Sequence, residues 1–343
     1  SVGDPEGLRD GKYYNTIGGW HDASDYLQYV TTSANAIYQM LFAYAHYPEA
    51  FVDYYDANGH ECANGIPDIL DEAKWGLDWL VKMNPDSTTY FNQLADDRDH
   101  VGFTLPNEQK VDYGWGAGKE RPVYFVSPKP QGLFKHKNRS TGMASTLGKY
   151  ASSFSLGAKL LSKYYPAFAE LLLQKSKQAY LKGLATPGVR QTAPGRAPYF
   201  YEEDNWTDDM QLAAMELYAT FGNKNYLIQA VNYGRMEPVT PWMGADSARH
   251  YQWYPFINIG HYHLAAQNID MRVKQEFIRN MRSGLKRVKD RACGDAFMNG
   301  IPFIWCSNNL TVGFITQCRL YHELTGDADF LEIETAMRDW LFG

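Results

Sequence analysis

Apolar side chains recur every three or four residues along most of this chain, a spacing that predicts amphipathic α-helices. In the clearest segment, residues 208–221, the apolar positions form one unbroken stripe. Thr207 can cap its start, and Gly222 can supply a left-handed stop. By this criterion about ten helices are predicted. They cover residues 31–46, 66–83, 141–164, 167–182, 208–221, 223–234, 256–267, 270–290, 309–325 and 328–342.

A weak internal repeat indicates that these helices are paired. Residues 217–227 and 320–331 share three features. Each segment has a Leu-Tyr pair, a glycine stop and a second helix that begins with an aromatic-leucine pair. Pro48 and Pro166 each end one helical pattern and allow another to begin. Reused units of this kind predict about five helical hairpins. Because no linker of flexible composition separates them, residues 1–343 are expected to form a single domain.

Aromatic residues are abundant, and many lie between the predicted hairpins. The chain has 25 Tyr, 17 Phe and 9 Trp, a composition that excludes a disordered chain. Five tryptophans fall in the stretches between hairpins: Trp115, Trp206, Trp242, Trp253 and Trp305. Flat aromatic faces stack on sugar rings while polar neighbours bind hydroxyl groups. We therefore favour a small-molecule cleft over packing alone as the role of these loops.

The charge balance and the missing motifs exclude several classes of protein. Lysine and arginine number 33 against 39 acids, for a net charge of −6, and no basic block occurs, so nucleic acid is not an expected partner. No apolar run approaches the roughly 18 to 20 residues that span a membrane. Glycine-rich phosphate loops and the HExxH and GxSxG motifs are absent, which argues against kinases, Rossmann enzymes, zincins and serine hydrolases.

Two segments could bind a metal ion, and for both a plainer interpretation is preferred. His60 and Cys62 could supply two zinc ligands, but no second pair stands at a recognisable spacing, so a packed or surface thiol is the better interpretation. The acidic run 202–209 has enough oxygens for calcium. A solvated helix start, favoured by the helix dipole, is preferred there. Structural calcium stays open, and no cofactor is expected for chemistry.

The sharpest local signal is segment 18–26, which reads Gly-Gly-Trp-His-Asp-Ala-Ser-Asp-Tyr. Asp22 and Asp25 stand three residues apart between a flexible glycine pair and the first long helix, so both carboxylates can point into one space. Two such carboxylates have separated pKa values or share a water molecule or cation, and they suit the positioning and deprotonation of water. The plainer alternative is that Asp25 caps the helix near Thr31 or that both acids are solvated.

Taken in order, these motifs resemble glycoside hydrolase family 9, the inverting endo-β-1,4-glucanases. Segment 18–25 is similar to the family's GGWYDAGD, segment 64–72 to its NGIPDLLDE, and segment 204–218 to the stretch before its central helix. The resemblance implies an all-α fold, an (α/α)6 barrel, of which this chain supplies about five of six hairpins. It also implies that Asp25 is the general base and that Asp22 holds the attacking water.

The resemblance and the aromatic loops together give a set of candidate substrate-binding residues. They are Trp20, Arg139, Trp206, Tyr251, Trp253 and Trp305.

Two departures from the family pattern are present. Ser24 stands where the family usually has glycine and His21 where it often has tyrosine, whereas both aspartates are kept. The family's general acid, a glutamate after an Asn-Pro segment, has no match before Gly343. We therefore expect that the catalytic domain in residues 1–343 lacks its last hairpin and that the general acid lies beyond residue 343. Without that acid, the chain as given would be inactive.

The sequence thus predicts an endo-acting hydrolase of β-1,4-linked glucans such as cellulose, mixed-linkage glucan or xyloglucan. Because such a polysaccharide is too large to enter a cell, we expect a secreted, periplasmic or surface protein, acting as a monomer. One alternative is a carbohydrate-binding protein on a decayed hydrolase scaffold. Another is a different helical-barrel carbohydrate enzyme, such as an α-glucan hydrolase or a lyase.

Overall fold

The computed structural model describes residues 1–23, 25–100, 102–197, 201–245, 257–304 and 307–343. Within these ranges the protein is mainly helical. The α-helices are α1 (Val30–His46), α2 (Asp68–Met83), α3 (Ala144–Leu161), α4 (Pro166–Ala185), α5 (Thr207–Phe221), α6 (Lys224–Met236), α7 (Pro241–Gly244), α8 (Ile259–Ala266), α9 (Met271–Arg291), α10 (Ser307–Thr325) and α11 (Leu331–Phe342). The strands are β1 (Gln28–Tyr29), β2 (Phe91–Leu94) and β3 (Val123–Phe125), and short 3-10 helices occur at Pro48–Ala50 and Pro106–Glu108.

The first compact unit, Ser1–Trp206, contains α1 to α4 and the three strands. α1 packs against α2 and α3, and α3 packs against α4, so the helices form two consecutive hairpins. α3 is buried along almost its whole length. It approaches α2 closely because it carries small residues: a Cβ atom on Gly157 would lie 2.6 Å from a methyl group of Leu77.

The strands form a buried antiparallel sheet in the order β1-β2-β3. Gln28 at the start of β1 lies opposite Leu94 at the end of β2, and Leu94 lies opposite Val123 at the start of β3. The segments before β1, after β2 and before β3 therefore meet at the same edge of the sheet. β1 also runs directly into α1, which fixes the beginning of the first long helix.

The second compact unit, Thr207–Gly343, contains three further helix pairs, α5/α6, α8/α9 and α10/α11. α8 contacts both α5 and α10. Asn223, Asn258 and Asp270 cap α6, α8 and α9 by accepting hydrogen bonds from N–H groups of the first turn. Gly222 has a φ of +66°, as the predicted left-handed stop requires.

All ten predicted helices are present, with ends that differ by a few residues. They form five consecutive hairpins in the described part of the chain. The short helix α7 and the three strands were not predicted. The single domain over residues 1–343 stays a prediction. No helix among the described residues is both long and apolar enough to cross a membrane.

Candidate active site

The loop before β1 carries the predicted acid pair, and its two glycines adopt positive φ angles. Gly18 has a φ of +123° and Gly19 a φ of +70°. A Cβ atom on Gly19 would lie 2.7 Å from the ring of Trp79, so any larger residue would clash there. The loop closes on itself where the Asp22 N–H donates to the carbonyl of Leu27 at 2.8 Å. This geometry holds the acid pair at the shared edge of the sheet.

Asp22 is half-buried, and its carboxylate is bound by a tyrosine hydroxyl. The hydroxyl of Tyr201 lies 2.8 and 2.6 Å from the two carboxylate oxygens, and the hydroxyl of Thr32 lies 3.3 Å from one of them. Burial raises the pKa of Asp22, the hydrogen bond from Tyr201 opposes this rise and the charge of Asp25 adds to it, with a net pKa of about 6. Asp22 therefore titrates close to neutral pH.

Asp25 is almost fully buried, with 3% of its surface exposed. One carboxylate oxygen accepts a hydrogen bond from the N–H of Leu27, and the other lies 2.5 Å from Nδ1 of His100. The alternative that Asp25 caps α1 is not supported, because the N-cap position of α1, Tyr29, has no side-chain hydrogen bond. The alternative that both acids are solvated is wrong, because both carboxylates are at least partly buried and have protein partners.

The loop after β2, residues 95–100, supplies the histidine, and sequence reasoning missed it. Ala95 opens the loop with a φ of +64°, which is strained for a residue other than glycine. Asp96 is completely buried between the guanidinium of Arg98 and the hydroxyl of Tyr124, each at 2.7 Å. These contacts make the loop rigid. A run of three aspartates and a histidine directly after a short apolar segment was the available signal.

A third carboxyl group lies near the acid pair. Asp99 is 4% exposed and accepts a hydrogen bond from the hydroxyl of Tyr113 at 2.7 Å. Burial raises the pKa of Asp99 and the charge of Asp25 adds to the rise, while the hydrogen bond from Tyr113 and the charge of Arg121 oppose it, with a net pKa of about 6. Asp22, Asp25 and Asp99 thus influence one another electrostatically at one edge of the sheet.

Tyr201 was also missed by sequence reasoning. It has a φ of +41°, a strained value for a tyrosine, and its ring packs edge-on against Tyr29 at 4.8 Å. Strained residues of this kind are concentrated at functional sites. No local sequence signal identifies this residue, because it lies 179 positions from Asp22 in the chain.

The predicted substrate-binding residues fall into two groups. Trp20, Arg139 and Trp206 are described, whereas Tyr251, Trp253 and Trp305 lie outside the described residues. The indole N–H of Trp20 donates to Glu72 at 2.7 Å, and a Cβ atom on Gly76 would lie 2.3 Å from its ring, so Trp20 packs against α2. Trp206 is half-buried directly before α5. Substrate binding by these residues stays a prediction.

Arg139 contacts the acidic run 202–209 through ion pairs. Arg139 makes ion pairs with Glu202 at 2.9 Å and Asp204 at 3.7 Å. The run does start a helix, as predicted, because α5 begins at Thr207 with Asp208 and Asp209 in its first turn. The predicted solvation of these two residues is wrong, because they are 4% and 2% exposed. The side chains of the run are thus largely committed to packing and ion pairs.

Metal binding was considered at the acidic run and at His60. The side chain of His60 is exposed and lies 3.1 Å from Asp56, and Cys62 is an exposed thiol. Among the residues that the structure describes, no group of three or more His, Cys, Asp or Glu side chains is arranged to hold a metal ion.

Consecutive helical hairpins, with two fixed carboxylates on a glycine-led loop, are typical of the helical-barrel glycoside hydrolases. The family model described as glycosyl hydrolase family 9 matches residues 3–343. The chain belongs to this family.

Two relatives in the family are identical to this chain at 25% and 30% of the aligned positions. Endoglucanase C of Cellulomonas fimi is 25% identical over 341 residues, which cover 95% of this chain and 28% of that protein. Cellulose 1,4-beta-cellobiosidase of Acetivibrio thermocellus is 30% identical over 245 residues, covering 66% of this chain and 25% of that protein. The chain thus spans only about a quarter of the length of these curated relatives.

Solved structures confirm the predicted fold class. A metagenome-derived glycoside hydrolase family 9 endoglucanase is 26% identical and superimposes with a TM-score of 0.76 over 100% of this chain and 57% of that one. Endoglucanase J30 of the same family is 21% identical, with a TM-score of 0.72 over 100% of this chain and 59% of that one, a likeness that concerns the fold alone. The fold is all-α, of the (α/α)6 barrel class.

Proposed function

We propose that the protein hydrolyses internal β-1,4-glycosidic bonds of glucans with inversion of configuration. The observation that carries this proposal is the acid pair, Asp22 and Asp25, each held by its own partner, Tyr201 and His100, on the loop that resembles the family motif. The relatives are known as an endoglucanase and a cellobiosidase, which favours cellulose-like substrates. Mixed-linkage glucan and xyloglucan belong to the same proposal.

In the proposed mechanism the two aspartates have different roles. Asp25 is the general base that removes a proton from water as the water attacks the anomeric carbon. Asp22 accepts a hydrogen bond from the same water and orients it. With its pKa at about 6, Asp22 is mostly ionised at pH 7 and can accept this bond. His100 and Tyr201 keep the carboxylates in place and limit the number of positions that the water can occupy.

Inverting hydrolysis also needs a general acid, on the other side of the bond at roughly 6.5–9.5 Å from the base. In this proposal the acid is the glutamate that the family resemblance places beyond residue 343. Proton donation of this kind contributes about 10²- to 10⁴-fold to the rate. The residues described here supply the base and the water site.

We further propose that the enzyme is secreted, periplasmic or attached to the cell surface, and that it acts as a monomer without a cofactor. The reason is the size of the substrate, which cannot pass into a cell. Structural calcium is compatible with the proposal. Cell fractionation measures the location, and finding the protein in the cytosol alone would contradict it.

The decisive test is replacement of Asp25 by asparagine in the full chain, including whatever follows residue 343. Asp25→Asn removes the base and keeps the shape of the side chain, so we expect hydrolysis of soluble β-1,4-glucan to fall by at least about 10²-fold. Calorimetric titration should still show binding of cello-oligosaccharides. Nuclear magnetic resonance of the parent enzyme's first product should show the α-anomer.

The matched control is Asp339→Asn, which removes the same charge from an exposed position of α11 and should leave hydrolysis unchanged. Substantial activity in Asp25→Asn would remove Asp25 from the role of base. Binding of oligosaccharides by a parent protein that releases no reducing ends would instead favour the carbohydrate-binding alternative.

A further inference from the structure

A cavity of about 600 Å³ opens beside the acid pair, and its charged lining is mainly basic. It reaches the candidate active site through His21, the neighbour of Asp22, and through Gln28 of β1. The charged side chains that line it are Lys12, Lys119, Arg121 and Glu120. Among the described residues, three cationic side chains therefore face a single acidic one. We call this space the basic cavity.

The cations of the basic cavity have no ion-pair partner among the described residues. Within that part of the chain, Nε and Nη2 of Arg121 are also buried without any hydrogen-bond partner. These two atoms are shielded from the cavity, and Arg121 as a whole is half-buried. Its charge acts on the carboxyl group of Asp99 and also reaches the active-site loop, because it helps burial to lower the pKa of His21. An anionic group in the cavity would balance the excess of cationic side chains on its lining.

Aromatic side chains stand at the same cavity. Tyr13 and Trp115 line it, and 76% and 45% of their surfaces are exposed. Exposed rings of this kind stack on the C–H face of a sugar. Thr16 and Gln28 add a hydroxyl and an amide to the lining. The cavity thus combines sugar-stacking faces with an excess of positive charge on its lining.

We propose that the basic cavity binds a carboxylate-bearing sugar unit of the polysaccharide, a uronate or an equivalent acidic residue, next to the bond that is cleaved. Lys12, Lys119 and Arg121 place three positive charges on the cavity lining, and these charges favour a carboxylate there. The preferred substrate is then an acidic or acid-substituted β-glucan. This inference rests on the proposed hydrolase function and names its substrate class.

The first test compares an anionic with a neutral soluble polymer, carboxymethyl cellulose and hydroxyethyl cellulose. In the full chain, Arg121→Met should lower kcat/KM on carboxymethyl cellulose by about 10- to 100-fold, the usual worth of hydrogen bonds between charged groups. The loss on hydroxyethyl cellulose should be much smaller. Lys119→Met, at an exposed position, should show the same selectivity with a smaller effect.

The control is Lys159→Met, which removes one positive charge from the exposed side of α3, away from the basic cavity. It should change neither rate. Circular dichroism checks that each variant is folded, and Lys119→Met decides the question if Arg121→Met does not fold. Equal losses on the two polymers, or no loss on either, would overturn the inference.

A binding measurement separates this inference from the proposed function. The Asp25→Asn chain is titrated with glucuronate and, separately, with glucose. Glucuronate should bind with higher affinity than glucose, and adding Arg121→Met should remove the binding of glucuronate. Glucuronate binding without hydrolysis of any polymer would contradict the proposed function alone. Hydrolysis of glucan without a preference for glucuronate would contradict this inference alone.

Discussion

Burial and hydrogen bonding act on Asp22 in opposite directions. Burial brings its pKa from 3.8 to about 6, and the hydroxyl of Tyr201 favours the ionised form and limits that rise. An ionised carboxylate is a stronger hydrogen-bond acceptor for the water than the protonated acid, which also acts as a donor. The tyrosine therefore sets the lowest pH at which Asp22 can perform its proposed role.

Replacing Tyr201 by phenylalanine tests this relation. The hydroxyl is lost while the ring that packs on Tyr29 is kept, so the pKa of Asp22 should rise above its present value of about 6. The acidic limb of the profile of kcat/KM against pH should then move towards neutral pH. We expect a loss of about tenfold at pH 6 and a smaller loss at pH 8.

The matched control is Tyr124→Phe, which removes a similar hydroxyl from the buried Asp96 at 2.7 Å. That variant should leave the position of the acidic limb unchanged. An unchanged limb in Tyr201→Phe as well would show that Asp22 does not need to be ionised for turnover.

The two aspartates could be predicted from the sequence because their signal is local. Glycines, aspartates and their spacing lie within one short segment. The partners could not be predicted in the same way: His100 is 75 positions from Asp25, and Tyr201 is 179 positions from Asp22. Only the antiparallel register of β1, β2 and β3 brings the first of these into contact, and no periodic pattern encodes that register.

At the scale of elements, two ion pairs hold the segment before α5, and their surroundings differ. Lys149 in α3 lies 2.6 Å from Glu203, and both side chains are almost fully buried, at 4% and 1% exposed. Arg139 lies 2.9 Å from Glu202 with 53% of its side chain exposed. Burial makes the loss of one partner expensive, whereas an exposed pair is screened by water.

Replacement of each cation by methionine should therefore destabilise the protein to different extents. Lys149→Met removes the cation that pairs with the buried carboxylate of Glu203, and we expect a loss of about 3–5 kcal/mol in the free energy of unfolding. Arg139→Met should lose about 1 kcal/mol or less. Urea unfolding of the full chain measures both.

The double variant Lys149→Met, Glu203→Gln removes both charges and should lose less than Lys149→Met alone. Equal destabilisation by Lys149→Met and Arg139→Met would contradict the assignment of the buried pair as the main anchor of this segment.

Helices were predicted more completely than strands, for a physical reason. A helix such as α9 spans 21 residues and repeats its apolar stripe several times, so the pattern stands out from chance. The strands have two to four residues, buried on both faces, and a run this short shows no alternation. In the acidic run, Glu203 pairs with the distant Lys149, a partner that the local pattern does not contain.

At the scale of the whole molecule, the five hairpins belong to the (α/α)6 barrel class. In this class, successive hairpins pack side by side. Within the first unit α1 contacts α3, and within the second α8 contacts both α5 and α10. A domain built in this way should unfold as one body. We therefore propose that residues 1–343 form a single domain.

Calorimetry of the full chain tests that proposal. We expect one transition in which the calorimetric and van't Hoff enthalpies agree. Phe154→Ala in the first unit and Phe277→Ala in the second each remove a ring with 0% exposure, and each should lower the midpoint of the same transition. The contrary result would be two transitions, one with a midpoint lowered only by Phe154→Ala and the other with a midpoint lowered only by Phe277→Ala. Ser1–Trp206 and Thr207–Gly343 would then be separate domains.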